Sequence, residues 1–196
     1  MMKRGTEIPT IDVNLVTIVT TSGKEIALDT ASKIAVAVQT STTEAVQLVV
    51  KGVLKAQKPE ETTITGNQIT LTDNVMIPEV VKILQGGTIK YWTSAEKTEA
   101  GTEETEFGIA GYIPPVAGSK EKGEVFKLNA YSAQYDASGQ IVQYEKISYP
   151  NCQGVPVTFG SEDNVFRVSE YTINSAPKEG EAPYEIEYVK ELPAMQ

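Results

Sequence analysis

The chain has 196 residues, 40% of them hydrophobic and 22% charged, a balance that argues against wholesale disorder and suits a β-rich domain with a real core. Lys and Arg number 17 against 26 Asp and Glu, and the net charge of -9 argues against a surface that grips nucleic-acid phosphates. Histidine is absent and Cys152 is the single cysteine, which removes the commonest general base, the commonest metal ligand and any intramolecular disulfide framework.

Residues 1–10 read as an extended arm, with Pro9 unsuited to a helix interior. No apolar signal-peptide core follows Lys3 and Arg4, and no run is long enough to span a bilayer, so a soluble, cytoplasmically made product is expected. Ile11, Val13, Leu15 and Val19 share one parity of a first strand, and Ile26–Leu28 forms a short second one after the Ser22-Gly23 turn. Two β-branched runs, 33–39 and 44–55, read as a long hairpin joined by 40–43. Helix competes for 44–55, but Val46, Val49, Val50, Val53 and Gly52 count against it.

Gln68–Thr72 alternates polar and apolar as a half-buried strand does. A short helix follows at about 76–85. Asp73 and Asn74 offer capping oxygens, Pro78 suits the first turn, and Ile77, Val80, Val81 and Leu84 form one apolar stripe. Gly86-Gly87 stops the helix, and Thr88–Trp92 resumes a strand. A long loop is expected over 93–123, around a short strand at 107–113. Its acidic part, 94–106, holds Glu103, Glu104 and Glu106, but lacks the Asp/Asn alternation and turning Gly of a calcium loop. A second hairpin pairs 125–135 with 140–148 across Asp136–Gly139. A third pairs 165–174 with 184–190 across the linker 175–183. Cys152 reads as a small, partly buried residue at a turn.

These elements predict a mainly β fold: a β-sandwich or barrel-like core of long antiparallel hairpins with one short flanking α-helix. One domain is expected over 11–192, with 193–196 as a C-terminal tail. Catalytic boxes are missing. Ser-x-x-Lys spacing occurs at Ser94–Lys97, Ser119–Lys122 and Ser175–Lys178, but in loop stretches and without the Ser-Asp-Asn or Lys-Thr-Gly companions of a catalytic box. No Gly-x-Ser-x-Gly elbow and no phosphate-binding loop occurs, and Gly86-Gly87 follows a helix instead of opening one. Glu162 and Asp163 leave only a generic carboxylate possibility. The expectation is a non-enzyme, with no catalytic, metal or cofactor residues.

The segment Ile69–Gly87, with Tyr149–Gly160, Glu162–Thr172 and a closing strand near Tyr184, resembles the tail tube (major tail) proteins of long-tailed, non-contractile bacteriophages of Gram-positive hosts. The resemblance covers roughly 66–192, and the acidic stretch 94–106 has no counterpart in it. It implies a virion protein that self-assembles into rings, usually hexameric, stacked into a hollow tube. Double-stranded DNA passes through that tube into the host without sequence-specific binding. It also implies tape-measure, tail-terminator and distal tail or baseplate proteins as partners, and no membrane. Hairpins 33–55 and 125–148 are the expected bore lining; the arm 1–10, loop 93–123 and linker 175–183 are the expected ring-to-ring contacts. Two other readings stay open: a monomeric β-sandwich binding module (a virion decoration or carbohydrate-binding protein), and the tube of a contractile tail or related injection device.

Overall fold

The computed structural model describes residues 9–92 and 108–194. In chain order they form β1 (Thr10–Thr20), β2 (Glu25–Leu28), β3 (Ala31–Thr43), β4 (Val46–Val50), β5 (Val53–Lys58), β6 (Glu61–Asp73), α1 (Pro78–Gln85), β7 (Thr88–Tyr91), β8 (Ile109–Ile113), β9 (Phe126–Tyr135), β10 (Ile141–Gly154), β11 (Ser169–Ser175) and β12 (Glu185–Val189). The main sheet has eight antiparallel strands in the order β2-β1-β9-β10-β11-β6-β3, with β12 attached to β10. It bends until β1 approaches β3 but does not close, so the fold is β-sandwich-like, as the sequence predicts.

The inner face of the bend holds the core. Val16, Ile18 and Leu28 meet Ile69 and Leu71, Phe126 and Leu128, Cys152, Tyr171 and Ile173, and α1 adds Val80, Val81, Ile83 and Leu84. Burying each such side chain contributes about 1.5–3 kcal/mol. Beyond the start of β1 the core parity is therefore Val16 and Ile18; of the expected set Val13 packs against the core, but Leu15 is buried on the other face and Ile11 is exposed. A bulge between Ile11 and Leu15 resets the alternation; Asp12 turns left-handed there (φ 63), and the Ala133 N–H donates to Asn14 Oδ1 at 2.7 Å. On the face opposite the core, Thr17, Asn129 and Ser148 stand side by side across β1, β9 and β10. Asn129 Nδ2 donates to Thr17 Oγ1 at 3.0 Å, and Ser148 Oγ donates to Asn129 Oδ1 at 2.8 Å. This buried polar ladder is satisfied along its length.

Two hairpins pair differently from the expectation. β3 pairs with β6, not with 44–55, in a register running from Ala31↔Asp73 to Thr43↔Glu61. The intervening residues fold on themselves as β4–β5, because Lys51 (φ 50) and Gly52 (φ 78) form the left-handed two-residue turn that matches strand twist. β11 pairs with β6 and the end of β10, while β12 pairs with β10 at Tyr144–Ser148. Thus 165–174 and 184–190 are not partners. The hairpin of β9 and β10 forms as expected, with Asp136 Oδ1 accepting from the Ser138 and Gln140 N–H groups in its turn.

The helix also forms as predicted, with a different start. Ile77 is its N-cap and no side chain caps it. Asp73 instead turns back into the sheet, where its Oδ1 accepts from Thr30 Oγ1 at 2.5 Å and from the Val75 N–H at 3.3 Å. At the other end Gly86 (φ 83) donates its N–H to Lys82 O. Gln85 then ties the helix outward: its Nε2 donates to Tyr112 Oη at 2.9 Å and its Oε1 accepts from the Val157 N–H at 2.7 Å. The strand expected at 107–113 is β8, paired with β7. The acidic stretch 94–106 lies outside the described residues, as does most of the arm 1–10.

Candidate assembly surface

Nothing among the described residues gathers into a reactive centre. No group of three or more His, Cys, Asp or Glu there is placed to hold a metal ion. Cys152 is fully buried in β10, not half-exposed at a turn, and burial pushes its thiol up to about 12, away from the reactive thiolate. Glu162 and Asp163 are exposed. The carboxyls that move do so for local reasons: Asp136 is lowered by hydrogen bonds from Ser138 and Gln140, and Glu187 by its hydrogen bond to Lys146. A groove of about 330 Å³ runs between the end of α1 and residues Glu121–Gly123 and Gln153–Gly154. Its lining pairs no nucleophile with a base.

The unusual surface is the ribbon made by the outer half of β3–β6 and the β4–β5 hairpin. From Ala37 to Thr65 every residue is exposed, so neither face of this ribbon rests on the body. Yet Val38, Val46, Leu48, Val49, Val50, Val53, Leu54 and Ile64 all lie in it. The sequence places Val46, Leu48 and Val50 on one parity of β4 and Val49 on the other, so the hairpin tip is apolar on both sides. A lone two-stranded ribbon of this kind is marginal in water, and exposed apolar patches of this extent mark contact surfaces. β3 is also the end strand of the main sheet, so the outer edge of its 13 residues offers unpaired backbone groups.

Two further surfaces stand out. β12 is attached along one edge only, and it exposes Ile186 and Tyr188, with Tyr184 just before it. Tyr184 packs on Tyr149 at 6.4 Å between ring centres. Glu145 lies opposite Tyr188 in the register, and Lys146 Nζ meets Glu187 Oε2 at 2.6 Å. In the segment between β10 and β11, Phe166 is 95% exposed and the Arg167 guanidinium sits 5.6 Å from the Phe159 ring centre.

Of the expected contact elements, β9–β10 lies in the middle of the main sheet and 33–55 is divided between β3 and β4–β5. The linker 175–183 is tied down by Asn67 Nδ2, which donates to Pro183 O at 2.8 Å, and by Asn151 Nδ2, which donates to Glu181 Oε2 at 2.7 Å. The apolar ribbon tip was legible as a β-branched run, but its exposure was not, because strands buried on both faces read the same way.

No family model matches the chain, and neither does any curated protein. Among solved structures, the chain is similar to a component of the sheath-tube complex of an extracellular contractile injection system in its extended state, at 11% identity and a TM-score of 0.42, over 93% of each chain. It is also similar to a chain of the anti-feeding prophage baseplate, at 9% identity and a TM-score of 0.38, over 97% of this chain and 98% of that one. At these values the likeness assigns no role to this protein.

Proposed function

We propose that this chain is a structural subunit that assembles with copies of itself into rings stacked as the hollow tube of a long, non-contractile phage tail. The observation that carries the reading is the ribbon 37–65, apolar at its tip and uncovered on both faces, beside the open edge of β3. Such a surface is a liability for a monomer, and head-to-tail contacts between identical copies remove it by closing a ring. The resemblance of 66–192 to tail tube proteins supports the choice of assembly, and the net charge of -9 suits a conduit that DNA must leave without being held. The bore lining is assigned to β3, now with β6 in place of 44–55 as its partner, and not to hairpin 125–148, because β9 is buried on both faces. Rings are hexameric in this reading, and tape-measure, terminator and distal tail proteins meet the ends of the tube. The protein is made in the host cytoplasm and resides in the virion, and it catalyses nothing.

A monomeric binding module is the second reading, and the exposed Phe159 and Phe166 favour it, since such modules present aromatic side chains to their ligands. Negative-stain electron microscopy of concentrated protein separates the two. Rings or tubes with a channel of roughly 20 Å or more, wide enough for a duplex, are expected. Particles that remain monomeric, even with tail-assembly partners added, would move the assignment to the binding module.

A further inference from the structure

The ribbon tip differs from the rest of the molecule in charge as well as in exposure. Residues 45–58 carry three lysines, Lys51, Lys55 and Lys58, and no acidic residue, in a chain whose net charge is -9. Lys51 sits at the turn itself, and Lys58 is only loosely associated with Glu61, at 3.9 Å. The surface around β12 has the opposite character. Residues 178–191 hold five glutamates against two lysines, and Glu145 adds a carboxylate beside Tyr188. Lys146, the nearest cation on β10, is already taken up by Glu187. The two surfaces match in their apolar parts too: valines and leucines at the tip, Tyr184, Ile186 and Tyr188 at the strand.

We infer that the β4–β5 tip of one copy docks on the β12 surface of a second copy, lysines toward the glutamates and Val/Leu side chains against Ile186 and the two tyrosines. Backbone geometry permits this. Among the described residues, β4–β5 is a sheet of two strands with both outer edges unpaired, and β12 has one unpaired edge, so the contact can extend the main sheet by edge pairing. Because the tip and β12 are different surfaces, the contact is heterologous: each copy gives a tip and receives one, as a growing assembly requires. The lysines steer the encounter, so the rate of assembly falls as added salt shortens the screening length. The inference rests on the proposed self-assembly and names the two surfaces that meet in it.

The test uses full-length protein in two single-cysteine-addition variants, Val53→Cys and Ile186→Cys, both at exposed positions, with one variant affinity-tagged. The native Cys152 is fully buried and takes no part. Mixed under assembly conditions and oxidised, the pair is expected to give a covalent heterodimer at least about tenfold in excess of the homodimer from either variant alone. In parallel, the triple change Lys51→Glu, Lys55→Glu and Lys58→Glu is expected to slow assembly and remove its salt dependence, with circular dichroism unchanged. Assemblies that form normally without the heterodimer, or with the triple variant assembling like wild type, overturn the docking and leave the tube reading standing. A chain that never assembles under any condition overturns both.

Discussion

Gly154 and Leu84 touch backbone to backbone: a Cβ at position 154 would stand 2.5 Å from the Leu84 Cα and Cβ and 2.6 Å from its carbonyl oxygen. The last residue of β10 therefore sets how closely α1 lies on the sheet. Gly123 presses from a second direction, where a Cβ would meet the carbonyl oxygens of Ile83 at 2.2 Å and Leu84 at 2.3 Å. Backbone cannot yield as a flexible side chain can, so Gly154→Ala must lift the helix or shift the strand. Overpacking of this kind costs about 1–3 kcal/mol. Urea unfolding should show that loss as a lower midpoint with an unchanged slope; a variant as stable as wild type would mean the helix has room to move.

The ribbon makes the reverse prediction. Leu48 and Leu54 are exposed on the free chain and outside the core cluster, so Leu48→Thr with Leu54→Thr should leave monomer stability within about 0.5 kcal/mol. Assembly, followed by light scattering or sedimentation, should weaken by tenfold or more. A double variant that forms rings at the wild-type concentration would remove the tip from the contact.

The Lys146–Glu187 pair gives stability a pH dependence at both ends. Glu187 has its carboxyl held below the usual range by the hydrogen bond and charge of Lys146, so its contribution is full above about pH 4.3, its ordinary value, and is lost as pH falls through the depressed one. Lys146 is raised by the same hydrogen bond, so its contribution is full below about pH 10.4 and is lost as pH rises through the raised value. Between the two limits the pair is constant. Glu187→Gln should therefore lose less stability than wild type on going from about pH 5 to pH 3, and should be flatter above about pH 10. Parallel curves for the two proteins at both ends would show that the pair does not act on folding.

Cys152 offers a clean reporter of global opening. Its side chain is wholly buried, its Sγ donates to Tyr149 O at 3.3 Å, and burial drives the thiol pKa up to about 12. Thiol reagents near neutral pH should modify it at the rate of unfolding, not at the rate of a free thiol, and denaturant should raise that rate along with unfolding. Rapid labelling of native protein would place a local opening at the end of β10.

How much of this was legible in the sequence follows from how far apart the partners lie. The β9–β10 hairpin was readable because Asp136–Gly139 joins neighbours, and the Asp136 carboxylate closes the turn by itself. The helix was readable from Ile77, Val80, Val81 and Leu84, although Asp73 was spent on Thr30 and not on a cap. The pairing of β3 with β6 was not, since the 44–60 insertion between them holds four valines while β6 holds none, and so reads as the better strand partner. Lys51-Gly52 was the available clue, a two-residue turn that folds the insertion onto itself. The placement of β12 on β10 was hidden for a similar reason: an alternating strand states which face is apolar, not which neighbour it joins. The exposure of the ribbon 37–65 was beyond reach of pattern, because what a β-branched run leaves uncovered depends on the remainder of the fold.

The way β12 hangs from β10 has a consequence for timing. Core residues end with Ile173, and the final strand lends none to the cluster. Synthesis therefore delivers the tip before most of the described core, and the proposed landing site after it. A chain made only as far as β11 holds out a tip but has no landing site of its own. In the proposed assembly such a chain can give a contact but cannot receive one, so it ends the line it joins.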